Sequence, residues 1–260
     1  MRSQVATPFD YLSLELKSPV ARITLRNPPL NVISVPMTQE LASALAEIEQ
    51  TGISIIVFQG EGKCFSAGVD VAAHTPEHVN SMLDKFHRVI RSLVATKTIT
   101  IAVVHGHCLG GGAELAMVCD IVISAQDATW GFPEITLGCY PPVAATALSA
   151  LIGQKRAAEL ILTGRNISGT EAFRMGLVTE VVPDARLQGA ISETLERLQK
   201  LSPAALAITK KSIYAWDSMH FDKGLARAEK IYIEELMKTE DAQEGIRAFL
   251  EKRSPQWTGR

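Results

Sequence analysis

Twice in the first half of the chain a short, mostly apolar run is followed by a glycine-containing breaker and gives way to helical periodicity. Ile53 to Phe58 is closed by Gly60-Glu61-Gly62 and followed by a helix over His78 to Val94, with Val79, Met82, Leu83, Phe86, Val89, Ile90 and Leu93 on one face. Thr98 to Val104 is followed by Gly110-Gly111-Gly112 and a helix over Gly111 to Met117. Apolar runs of this length read as strands covered on both faces, which requires helices between them and a largely parallel sheet. The fold class is therefore α/β.

The flanking segments extend the pattern. Leu12, Leu14, Leu16 and then Val20, Ile23, Leu25 alternate around Ser18-Pro19 as a hairpin does, and Pro36 to Ile48 has helical spacing. Ile121 to Ser124 and Val178 to Val182 read as strands, Val143 to Leu151 and Arg156 to Leu162 as helices. Beyond Pro183 only helices are expected: Leu187 to Leu201, Pro203 to Trp216 with Ser202 as cap, Phe221 to Lys238 and Asp241 to Lys252. No repeat or low-complexity linker divides the chain, so an α/β body over residues 1–200 is expected to carry a helical part over 201–260.

Composition narrows the partners. With 26 Lys plus Arg against 28 Asp plus Glu, the formal charge of −2 offers no extended basic field for nucleic acid or an anionic membrane. No apolar run reaches the ~18–20 residues that span a bilayer. The start, MRSQVATPFD, has neither an apolar signal core nor an Arg-rich transit pattern, so cytoplasmic residence is expected. Cys64, Cys108, Cys119 and Cys139 fit no zinc-pair spacing and read as reduced core thiols. His105 and His107 have no evident third ligand, so no metal is expected.

Chemistry is suggested by two loops and two acids. Cys64 to Asp70 and His105 to Glu114 both follow strands, and three glycines at a helix start leave unpaired N–H groups for a negative oxygen. The same glycines also suit a close-packed turn. Spacing excludes GxGxxG and the P-loop. Glu114 lies in the first turn after the glycines, and Glu134 lies in the apolar segment Trp130 to Ile135. Two carboxyls in apolar surroundings can divide acid and base roles; alternatively Glu114 caps its helix and Glu134 forms a salt bridge. Trp130, Phe132 and Tyr140 suit either a pocket or the core, and Lys210, Lys211, Arg227 and Lys230 suit solvated helix faces.

Taken together, Phe65 to Asp70, His105-Gly106, Gly110 to Ala116, Cys119-Asp120, Phe132 to Ile135, Leu137-Gly138, Leu162 to Gly164, Ala172 to Val178 and Phe249 to Arg253 resemble the enoyl-CoA hydratase/isomerase (crotonase) family. The resemblance runs from about Val20 to the C-terminus. It implies the crotonase, ClpP-like spiral of ββα units, with the helical C-terminal part joining subunits into a homotrimer or homohexamer. It implies an acyl-CoA thioester substrate and no cofactor, coenzyme A being part of the substrate. The thioester oxygen is expected between the N–H groups of Val69 and Gly111, with Ala67, Gly68, Val69 and Asp70 in the substrate-binding loop. Ala67 is placed by the adenine of CoA, and Asp70 stabilises the loop.

Glu114 and Glu134 fall at the two acid/base positions, which favours hydration over the single-acid double-bond shift of an isomerase, the family's other outcome here. A non-catalytic or RNA-binding member of the fold is the remaining alternative. The chain departs from the pattern at Pro142, which has no N–H where many hydratases have a glycine that helps to hold water. Pro142 is expected to shape the acyl pocket. Pro141-Pro142-Val143-Ala144 with Pro28 to Val32 resembles the branch acting on cyclohexa-1,5-diene-1-carbonyl-CoA.

Overall fold

The computed structural model describes residues 9–214 and 217–260, with no side chain described for 217–219. The chain opens with the hairpin β1 (Leu12–Lys17) and β2 (Val20–Leu25), paired antiparallel from Leu12–Leu25 to Lys17–Val20. Helix α1 (Val35–Glu49) follows, its first turn closed by Ser34, whose hydroxyl accepts from the Met37 N–H. Strand β3 (Ile55–Gly60) then runs parallel to β2, and the amphipathic helix α2 (Val79–Ala95) leads to β4 (Ile99–Val104), all six residues of which are buried. The short β5 (His107–Leu109) precedes α3 (Gly111–Met117), β6 (Ile121–Ala125) and β7 (Thr129–Gly131).

A 3-10 turn over Pro133–Leu137 leads to α4 (Pro142–Ile152) and α5 (Gln154–Thr163), then to β8 (Ile167–Ser168), α6 (Gly169–Met175) and β9 (Glu180–Val182). The remainder is helical: α7 (Leu187–Gln199), α8 (Pro203–Ile213), α9 (Asp217–Glu234), a 3-10 turn over Leu236–Lys238, and α10 (Glu240–Leu250).

The main sheet has the order β1-β2-β3-β4-β6-β9 and is parallel apart from β1, as the continuous apolar runs imply. A second sheet of β5, β7 and β8 is missing from the sequence reading. Its strands are two or three residues long, too short for a hydrophobic period to register. Ser202 caps α8 as expected, accepting from Ala205. The last two residues expected in that helix, Ala215 and Trp216, lie outside the described residues. Helix α9 begins four residues before the expected Phe221, and the turn at Leu236 separates it from Lys238.

The C-terminal helices are tied to the body by buried polar contacts. Lys210 of α8 is 5% exposed, pairs with Asp120 at 2.8 Å and donates to the Thr98 carbonyl, so it is a structural cation rather than a solvated one. Helix α9 packs on α2 and α4, and α10 packs on the 3-10 turn over Pro133–Leu137. Two hydrophobic clusters result. The larger surrounds the main sheet; the smaller joins Val79, Met82 and Leu83 of α2 to Cys139, Tyr232, Met237 and Ile246, with Val69 at its edge. Among the described residues no helix is long and apolar enough to cross a membrane.

Candidate active site

The loop over Cys64–Asp70 spends nearly all its amides inside the protein. Phe65 donates to the His105 carbonyl, Ser66 to His107, Ala67 to Leu30, Gly68 to the Ser66 hydroxyl and Asp70 to Ile33. From Phe65 to Asp70 the Val69 N–H alone has no acceptor among the described residues. The second loop shows the same economy: Leu109 donates to Ser66 and Gly110 to Gly131, leaving Gly111 as the first uncommitted amide before Glu114 closes the helical turn on Gly110.

The three glycines bring these amides together. A Cβ on Gly111 would lie 2.4 Å from Val69 Cγ2 and 3.4 Å from the Val69 nitrogen. One on Gly112 would meet Ser66 Cβ at 2.7 Å, and one on Gly110, whose φ is +50°, would meet Glu134 Oε1 at 2.7 Å. Close packing and a rim of two free amides are therefore one feature. Asn31, also at φ +50° and buried, supports the loop from below: its Nδ2 donates to the carbonyls of Glu61 and Cys64, and its carbonyl accepts from the Ser66 hydroxyl. Asp70 accepts from the Ala72 N–H and caps the short turn that follows.

Both carboxylates stand beside this rim, and the plain readings of them do not hold. Glu114 is 3% exposed, and its Oε1 accepts from the Ala144 N–H at 2.9 Å, so it is held by the start of α4 rather than capping its own helix. Glu134 forms no salt bridge with any described residue; the residue is half-buried, yet its Oε2 is buried without a hydrogen-bond partner. Burial raises the Glu114 carboxyl, opposed by His87 and by the Ala144 and Val143 amides. Burial and then the Glu114 charge push Glu134 up to about 8. Burial thus favours the protonated form of both carboxyls, and the charge of one opposes ionisation of the other.

Pro142 is buried at the first position of α4, where a missing N–H costs the helix nothing. Trp130 and Phe132 belong to the main core, the indole N–H donating to Ser124, while Tyr140 stands edge-on to Tyr232 in the smaller cluster. The four cysteines are buried and free. His105 Nε2 pairs with the Gly62 carbonyl. Asn31, Ser66 and Ala144 escaped the sequence reading because each acts through a backbone group or a buttress. An asparagine two residues after Pro28-Pro29 was the available hint for the first.

Comparison with known proteins agrees with this geometry. The family model described as enoyl-CoA hydratase/isomerase matches residues 15–260. A probable enoyl-CoA hydratase of Bacillus subtilis is 36% identical, the match covering 96% of this chain and all of that one. The cyclohexa-1,5-dienecarbonyl-CoA hydratase of Thauera aromatica is 32% identical over 99% of this chain and all of its own. The crystal structure of an enoyl-CoA hydratase from Mycobacterium avium subsp. paratuberculosis superposes with a TM-score of 0.87 at 27% identity, covering 96% of this chain and all of that one. With two convergent amides, a carboxylate pair and matches that run nearly end to end, the chain belongs to the enoyl-CoA hydratase/isomerase family and has the crotonase fold.

Proposed function

We propose that this chain, an enzyme of the enoyl-CoA hydratase type, adds water across the α,β double bond of an unsaturated acyl-CoA thioester. The Val69 and Gly111 amides receive the thioester oxygen as it gains negative charge, each donor contributing ~2.7–4 kcal/mol by analogy with measured oxyanion holes. Glu114, ionised, takes a proton from the water whose oxygen bonds to C3. The displaced π electrons form the enolate, and Glu134, neutral, delivers its proton to C2. Proton transfer from Glu114 to Glu134 then restores the starting state, and coenzyme A leaves as part of the product.

The observation that carries this reading is the convergence of the two uncommitted amides beside the Glu114 and Glu134 carboxyls. Ala67, its N–H spent on Leu30, keeps only its carbonyl for the adenine of CoA, and Gly68 gives the loop its turn at φ +108°. Asp70 supports that loop and Pro142 forms part of the acyl-pocket wall. Glu114→Gln and Glu134→Gln should each lower hydration of crotonyl-CoA by about 10²–10⁴-fold while retaining CoA-ester binding, followed by ultraviolet loss of the conjugated thioester. Unchanged turnover in both variants would refute the assignment.

A cyclic dienoyl substrate is the second reading, favoured by the rigid Pro141-Pro142 entry to α4 and by the Thauera relative's activity. Cyclohexadienoyl-CoA turned over faster than crotonyl-CoA would establish it. A homotrimer or homohexamer is supported by an apolar groove of about 920 Å³ between α4, α5 and α9, edged by Leu151 and Leu162 and containing none of the four acid/base and amide residues. Four buried free thiols support a reducing, cytoplasmic setting.

A further inference from the structure

The attacking water needs more than Glu114 to hold it. A buried water typically makes about three hydrogen bonds to otherwise unpaired groups. Helix α4 has none to spare: Pro142 has no N–H, and the amides of Ala144 and Val143 are directed to Glu114. Among the described residues only three buried side-chain polar atoms lack a partner, Glu134 Oε2, Tyr232 Oη and His87 Nε2. Tyr232 Oη lies in the smaller cluster with Cys139, on the Glu134 side.

His87 is the one on the Glu114 side, next in sequence to the Phe86 that packs on Gly111. It is fully buried on α2, one residue after Phe86, whose Cζ comes within 3.3 Å of the Cβ position of Gly111, one helical turn before Glu114. The rings of Phe86 and His87 are 5.9 Å apart. The imidazole is held from behind: Nδ1 lies 2.7 Å from Glu229 Oε1 of α9, and Arg91 grips Glu229 Oε2 at 2.8 Å and Asp222 at 2.9 Å. With Nδ1 donating to the carboxylate, Nε2 is the free nitrogen, and water can meet it as donor or acceptor.

We propose that His87 Nε2 is a second contact of the water held by Glu114, which makes His87 a catalytic residue of the hydration step and Glu229 and Arg91 its positioning residues. This rests on the hydratase reading and deepens it. The electrostatic effect of His87 on Glu114 noted above accords with their proximity. The family's acid/base pair alone does not account for a fixed, buried imidazole with an unsatisfied nitrogen at this position.

Two reactions separate the water from the rest of the machinery. Hydration of crotonyl-CoA needs water, whereas exchange of the C2 protons of butyryl-CoA in D₂O, read by proton NMR, needs only the carboxylates and the amide rim. His87→Leu should lower kcat for hydration about 100-fold with KM near wild type, and leave exchange within about threefold. His87→Gln, which keeps a polar atom in place, should retain more hydration than His87→Leu. Glu229→Gln, on a partner that is partly exposed, should lose less still and guards against misfolding of the buried-site variants. Hydration and exchange falling together in all three variants, or hydration unchanged in His87→Leu, would overturn the proposal. Wild-type exchange without hydration of any enoyl-CoA would instead refute the hydratase reading beneath it.

Discussion

The two hydrophobic clusters of the molecule are built to different ends. The one around the main sheet is overwhelmingly aliphatic and aromatic, with Met37, Met117, Cys108 and Cys119 its sulfur-bearing minority, and polar groups at it are paired: Trp130 with Ser124, Thr100 with Asp120. The one between α2, α9 and α10 contains Met82, Met237, Cys139 and Tyr232, with the hydroxyl of Tyr232 unpaired. Methionine and cysteine are soft groups that tolerate rearrangement, whereas close-packed aliphatic cores do not. The first cluster backs the two loops; the second gives Val69 softer neighbours. Rigid and adaptable packing are thus assigned to separate places.

That division can be broken by substitution. The largest effect is expected from Phe58→Ala in the main cluster, a loss of ~3–5 kcal/mol in unfolding free energy with kcat per folded molecule unchanged. A matching fall in kcat would show that the sheet core is part of the catalytic machinery. Next is Gly111→Ala, whose new methyl meets Val69 Cγ2. It should lower kcat by about 10²–10³-fold, and adding Val69→Ala should recover part of the loss.

Glu134 offers a pH test of intermediate size. Its folded carboxyl is raised from 4.5 to about 8, so the native state keeps a proton that the unfolded chain releases, and stability declines as pH rises across that interval. Glu134→Gln should therefore leave Tm nearly unchanged at about pH 4.5 and raise it by several degrees at about pH 8. An identical difference at both pH values would place the Glu134 carboxyl in water. The smallest effect should come from Met82→Leu, costing less than ~1.5 kcal/mol but changing the relative KM of short and bulky acyl-CoAs.

Much of this was legible before any coordinates. Continuous apolar runs such as Ile99 to Val104 announce a parallel sheet because no exposed face interrupts them. Gly110 to Gly112 mark the rim because each gives way to a different neighbour: Glu134, Val69 and Ser66. The bonds of the rim were hidden, since which amide stays free depends on distant carbonyls such as those of Leu30 and Ile33. His87 left a trace that periodicity alone passes over. It stands beside Phe86 and one turn after Leu83, a polar residue on the buried face of an amphipathic helix, and only Glu229, 142 positions later, accounts for it. The upward shift of both glutamates likewise arises from burial, opposed at Glu114 by the amides of α4, which spacing does not encode.

The placement of α9 and α10 has an evolutionary corollary. The two free amides and the two glutamates beside them lie between Val69 and Glu134, while Tyr232, Met237 and Ile246 join the small cluster next to Val69 from the last thirty residues. Drift at those three positions can therefore alter the packing next to Val69 while the sequence of the amides and acids stays fixed; Glu229, in the same tail and bonded to His87, is the point where the two are tied together.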